Sequence, residues 1–229
     1  MKLVADKIHA TEAPEEVPAY RLPEAARIVR LPPSTLRLWA SGEDARKPLF
    51  KPASRDPLLL SFSNVVEAFV LAAMRRVHGI SMQRVRKALR YVGGELGYPR
   101  PLVHARFRTD GVSLFVQHAG KLLDVSAEGQ AVLRDVLEES LARIDWERDL
   151  AVRLYPWVRG GDFANQPRTI VLDPRLGFGR PVIAGTGIEA RIVAERYRAG
   201  EAALRLANDY AVEVEQIEDA IRCEMREAA

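Results

Sequence analysis

The chain has 229 residues, of which 48% are hydrophobic and 28% charged, with a formal net charge of +3 and one cysteine. That length can bury one proper core or two to three small ones, and the composition is that of an ordinary soluble protein. Cys223 excludes an internal disulfide, the apolar run from Val65 to Met74 is broken by Glu67 and too short to span a bilayer, and no export leader opens the sequence, so a cytoplasmic protein with no membrane partner is expected.

The modest net charge hides an uneven distribution. Between Tyr20 and Val92 fourteen Lys and Arg stand against five acids, whereas from Gly200 onward three Arg stand against eight acids. The first region suits a polyanion and the second does not.

Residues 1–19 are polar with scattered Pro and Glu and read as a flexible arm. From Tyr20 the pattern becomes helical, with short helices expected over 23–29 and 33–40, Pro33 sitting in the first turn of the second. PLFK (48–51) and LLLSF (58–62) flank the turn-rich KPASRDP, as in a two-stranded wing. Ser63 and Ser81 are expected to cap two further helices, completing a unit over 20–92.

Within that unit Ala26, Leu31, Leu36 and Trp39 have the small and apolar spacing of a helix-turn-helix. Ser34, Thr35 and Arg37 then point outward, where they can donate to phosphates and base edges, and Arg30 lies at the turn. Arg46, Lys47, Lys51 and Arg55 on the wing could reach the backbone of double-stranded DNA. The competing reading is a solvated basic face on a small helical domain.

Residues 98–157 alternate apolar and polar positions around the turn-like TDG (109–111) and HAG (118–120), which predicts a three-stranded antiparallel meander. Ser126 opens a helix whose Val132, Leu133, Val136, Leu137, Leu141 and Ile144 form an apolar stripe, with Glu138, Glu139, Asp145, Glu147 and Asp149 on its solvated face. Trp146, Tyr155 and Trp157 either cap the core or anchor a partner.

Residues 168–229 open with RTIVLDP and the glycine-rich FGRPVIAGTGI. A phosphate loop would need a lysine and a hydroxyl where Ile188 and Glu189 stand, and the glycines lack dinucleotide-binding spacing. Thr186 and Glu189 instead fit a capping box for a helix over 187–199, followed by helices over 201–210 and 213–227. Leu206, Ala207, Tyr210, Val212, Ile217 and Ala220 repeat the helix-turn-helix spacing, but Glu213, Glu215, Glu218 and Asp219 would face outward. An acidic helix is repelled from a phosphate-lined groove, so this surface is expected to meet protein. No catalytic constellation is present: the four histidines stand singly, no serine sits in a nucleophile elbow, and neither a cofactor nor a metal is implied.

The fold class expected is therefore α+β and mainly helical. YRLPEAARIVRLPPSTLRLWASG resembles the N-terminal winged helix of MerR-type regulators over about residues 20–92, without the long dimer-forming coiled coil of that family. IVLDPRLGFGRPVIAGTGI with RYRAGE, LANDY and QIEDAIRCE resembles a domain-of-unknown-function family marked by D-P-x-x-x-x-G-x-P-V-I-x-G-T-x-I. That resemblance implies a homeodomain-like trihelical unit, often an antitoxin partner of PIN-like ribonuclease toxins. The combination resembles the larger VapB-type antitoxins and implies a homodimer that binds a toxin and its own operator DNA. The alternatives are a MerR-like regulator whose middle segment senses a small ligand, and an assembly protein without DNA affinity.

Overall fold

The computed structural model describes residues 13–42, 47–77, 80–123, 126–159 and 166–225. It is a mixture of helices and short antiparallel sheets with helix predominant. β1 (Tyr20–Arg21) leads into α1 (Leu22–Val29) and α2 (Pro33–Ser41). Arg30 closes α1 in the left-handed region at φ 57°, and the Leu31 N–H reaches back to the Ala26 carbonyl at 3.0 Å. This closure satisfies the free carbonyls of the helix end and usually employs glycine.

β2 (Ser54–Arg55) and β3 (Leu58–Leu60) form a hairpin, and β1 pairs with the other edge of β3, so Tyr20 lies opposite Leu60 and Arg55 opposite Leu58. The first strand of this hairpin is thus Ser54–Arg55 and not Pro48–Lys51, expected as the first strand of a wing. The reason lies in Leu49, whose N–H bonds the Trp39 carbonyl at the end of α2, and in Phe50, which is buried.

α3 (Phe62–Arg76) is the axis of the molecule, buried on all sides from Phe62 to Met74. Its cap is Ser61, not Ser63. The Ser61 hydroxyl accepts from the Asn64 N–H while the Asn64 carbonyl oxygen accepts from the Ser61 N–H, both at 3.2 Å. This reciprocal box leaves Ser63 inside the helix. α4 (Met82–Leu96) follows Ser81, which occupies the cap position without a side-chain bond.

The expected meander is a helix. Pro101–Val103 forms a short tight turn, Phe107–Gly111 one turn of π-helix, and α5 runs over Val112–Leu123. Phe107, Val112, Phe115, Val116 and Ala119 are buried, a helical spacing that the two apparent turns obscure. The glycines of those turns serve close packing. A Cβ on Gly111 would stand 2.7 Å from the Phe107 ring, and one on Gly120 would stand 2.5 Å from the Gln130 amide.

α6 (Ala127–Leu141) starts at Ser126, whose hydroxyl accepts from the Gly129 N–H at 3.2 Å. It ends earlier than expected: Ile144 begins β4 (Ile144–Glu147), which pairs with β5 (Leu150–Leu154) through Arg148 and Asp149, both at positive φ. Asp145, Glu147 and Asp149 therefore belong to a hairpin and not to a helix face. Arg143 locks the exit of this hairpin. Its buried guanidinium donates to the carbonyls of Tyr155, Gln166 and Pro167 and lies over Trp157, and burial together with nearby Arg168 pushes its pKa down to about 10.

β6 (Ile170–Val171) and β7 (Val182–Ile183) form a two-stranded ribbon beneath α7 (Ala190–Arg198), α8 (Ala203–Tyr210) and α9 (Val214–Met225). The capping box expected from Thr186 and Glu189 is absent. Thr186 donates to the Ile183 carbonyl and accepts from the Ile188 N–H, closing a local turn, and Glu189 pairs with Arg180 at 3.5 Å. Residue 189 still bridges Val182 in an extended conformation, so the helix cannot begin before Ala190.

Two hydrophobic clusters result. The larger runs from Tyr20 to Leu172 and surrounds α3, and the smaller joins Val158 and β6 to the interior of α7–α9. Three polar contacts fasten them together. The Tyr20 hydroxyl donates to the Gly179 carbonyl at 2.6 Å, Arg27 pairs with Glu224 at 2.8 Å, and Arg30 donates to the Arg159 carbonyl at 2.9 Å.

Candidate nucleic-acid interface

On α2 the side chains divide as the spacing requires. Leu36, Trp39 and Ala40 are buried, Ser34 and Arg37 are exposed, and Thr35 is half-buried. Ser34, Thr35 and Arg37 line one surface hollow of about 430 Å³. On the other flank a hollow of about 420 Å³ brings Thr35 and Lys47 together with Arg75, Ser81, Gln83 and Arg86. Cations from three separate elements thus converge beside the exposed edge of α2, an arrangement that can neutralise phosphates while hydroxyls and Arg37 approach base edges.

Arg75 and Arg86 were not among the residues expected at this surface. They lie far from α2 in sequence, and the available signal was the run Arg84, Arg86, Lys87 and Arg90 without an acid until Glu95. Burial, with the charge of Arg90, lowers the pKa of Arg86. A counterion placed there would relieve that repulsion.

Lys51 and Arg55 are exposed but belong to neither hollow. The backbone at Lys51 is held by Asn64, whose amide nitrogen donates to the Lys51 carbonyl at 2.9 Å and to Glu67 at 3.2 Å. The Asn64 oxygen also accepts from the Ala53 N–H at 2.9 Å, so its amide is fully engaged. Glu67 in turn takes two bonds from Arg100, which also pairs with Glu16. Burial opposes the charge on Arg100, but bonds and charges from Glu67 and Glu16 outweigh it and raise its pKa. Arg46 lies outside the described residues, and the guanidinium of Arg30 is turned to the Arg159 carbonyl.

The acidic face differs from expectation at one position. Glu213 and Glu215 are exposed and Glu218 is half-buried, pairing with Arg222 at 2.7 Å. Asp219, however, is fully buried. It accepts two bonds from Arg159 at 2.9 Å, one from Thr169 at 2.8 Å and one from Arg222 at 2.8 Å. Burial works to raise the Asp219 pKa, yet these bonds prevail and hold it below its ordinary value. Its role is to fasten α9 to the strand below.

Trp157 likewise sits in the core, 4% exposed, stacked on Phe69 with ring centroids 5.3 Å apart. A buried ring cannot anchor a partner, so that assignment is corrected. The surface that α9 does offer is a hollow of about 670 Å³ in which Glu215 and Glu218, with Arg159 and Arg222, flank Tyr197, Ile221 and Met225.

Among the described residues no group of three or more His, Cys, Asp or Glu could hold a metal ion, and no helix is long and apolar enough to cross a membrane. His104 stacks on Tyr98 and His118 on Tyr91. Burial pushes the Cys223 thiol up to about 12, which suppresses the thiolate a nucleophile requires.

Comparison with known proteins places this architecture. The family described as "Protein of unknown function (DUF433)" matches residues 170–222, from β6 into α9. The crystal structure of Rv2018 from Mycobacterium tuberculosis is similar with a TM-score of 0.70 and 29% identity, over 90% of this chain and 98% of that one. The Mycobacterium tuberculosis protein named "Putative antitoxin VapB45" is 33% identical over 90% of this chain and 93% of its own length. With a third of positions shared across nearly the whole of both proteins, this chain belongs to the same family as VapB45, a family of VapB-like antitoxins.

Proposed function

We propose that the chain is the DNA-binding antitoxin of a type II toxin–antitoxin pair, neutralising a PIN-like ribonuclease toxin and repressing its own operon as a homodimer. In this reading residues 20–92 are a MerR-like winged helix-turn-helix on operator DNA, 98–157 serve assembly, and 168–229 are a homeodomain-like unit for the toxin. The match to a named antitoxin over nearly the full length carries the reading. The exposed polar edge of α2, with Lys47, Arg75 and Arg86 beside it, supports the DNA half. Exposed Glu213 and Glu215 at the start of α9 suit a basic protein surface.

Gel-shift titration tests the DNA half. Arg37→Ala is expected to weaken specific binding by about 1–3 kcal/mol, whereas Lys51→Ala weakens all sequences alike and flattens the salt dependence. If neither changes the titration, α2 and the wing do not read DNA. Co-purification with the product of the adjacent gene tests the toxin half, with Glu213→Lys and Glu215→Lys expected to reduce capture.

One observation favours the second reading, a MerR-like regulator that senses a small ligand. A hollow of about 190 Å³ lies between α3 and α6, lined by Ala73, Val77, Val132, Val136 and Trp157. It falls below the roughly 300–1,000 Å³ of ordinary ligand sites, which ranks this reading second.

A further inference from the structure

The turn Gly177–Gly179 belongs to neither candidate face. All three residues adopt left-handed backbone, with φ of 57°, 56° and 78°. For the glycines this costs little, but for Phe178 it costs about 1–2 kcal/mol. Phe178 is nevertheless 86% exposed, the most exposed large hydrophobic side chain among the described residues.

The turn is held from beneath. The Gly179 carbonyl accepts from the buried Tyr20 hydroxyl, and a Cβ on Gly179 would collide with that hydroxyl. A strained turn clamped to the body of the molecule thus holds an aromatic ring in water, which folding alone does not require. Beside the ring lies a cleft of about 460 Å³ walled by Pro18, Tyr20, Phe62 and Pro174, with Phe178 at its mouth. The charged residues on its rim are of opposite sign, Glu24 and Arg180, the latter half-exposed and also pairing with Glu189 at 3.5 Å.

We propose that this face joins two copies of the chain, with Phe178 of each copy seated in the cleft of the other. A two-fold contact uses one patch for both sides, so knob and hole must lie together, as they do here. The rim has the same self-complementarity: Glu24 of one copy comes opposite the partner's Arg180, and the reverse. Because the turn is already ordered, little conformational freedom is lost on pairing. The proposal rests on the homodimer reading and adds to it the face.

Sedimentation equilibrium on the full chain tests this. The wild-type chain is expected to be dimeric, and Phe178→Asp to raise the dissociation constant about thirtyfold or more, with an unchanged circular dichroism spectrum. Glu24→Arg is expected to weaken the dimer and the double variant Glu24→Arg, Arg180→Glu to restore it in part, since Arg180→Glu also gives up the pair with Glu189 within the chain; a damaged fold would show no rescue. A wild-type monomer overturns both the homodimer reading and its face. A dimer indifferent to Phe178→Asp overturns the face alone, as does a variant that stays dimeric but loses capture of the toxin.

Discussion

The α1–α2 pair and the α8–α9 pair are the same local device with opposite surfaces. Each first helix ends in a left-handed residue other than glycine, Arg30 at φ 57° and Ala211 at φ 53°. Each turn is closed by the following N–H reaching back to a buried alanine, Leu31 to Ala26 at 3.0 Å and Val212 to Ala207 at 3.1 Å. Each second helix buries small and branched apolar residues, Leu36 and Ala40 in one and Ile217 and Ala220 in the other. Outside, one presents Ser34 and Arg37 and the other Glu213 and Glu215. Backbone geometry is therefore set by the interior and the surface charge by the exterior, so one local fold presents two opposite faces.

The largest test of that equivalence is in the cores. Leu36→Ala and Ile217→Ala each remove a fully buried side chain and are expected to cost about 2–5 kcal/mol apiece in urea unfolding. A much smaller loss for one of them would show that the two interiors are not equally packed.

The second test exploits a contrast within α9. Asp219→Asn removes a buried charge partner of Arg159 and is expected to cost about 2 kcal/mol near pH 7. The Asp219 pKa is lowered, so its contribution is present above the ordinary carboxylate range and is lost as pH falls through its lowered value. Glu224 behaves oppositely. Burial raises its pKa, and Arg27 offsets this only in part, so its contribution is present below the ordinary range and is lost as pH rises through its raised value. Urea midpoints measured against pH should therefore move in opposite directions for Asp219→Asn and Glu224→Gln.

The smallest test is at the turns. Ala211→Gly relieves a left-handed alanine and is expected to stabilise by about 0.5–1 kcal/mol. Arg30→Gly relieves the same strain but loses the bond to the Arg159 carbonyl, so its gain in thermal unfolding should be smaller.

Both of these pairs were readable from sequence because their information is local: a small residue, an apolar turn position and a buried face within about twenty residues. α5 was not, since Gly111 and Gly120 carry the signature of turns while their purpose is contact with Phe107 and Gln130, which alternation cannot reveal. The candidate site divided in the same way. Ser34, Thr35 and Arg37 follow from helix phase, but the burial of Asp219 depends on Arg159, sixty positions earlier, and the gathering of Arg75 and Arg86 beside Lys47 depends on the packing of α3 and α4.

Asn64 has a consequence for chemical ageing. Its two amide hydrogens face the Lys51 carbonyl and the Glu67 carboxylate, so both must be donors. Deamidation would change one atom and almost no volume, yet it would set a carboxylate against another carboxylate and a carbonyl at the buried start of α3. A shape-conserving lesson follows for this position: what makes Asn64 irreplaceable is the direction of its protons, and a slow hydrolysis that leaves packing untouched would release the loop bearing Lys51.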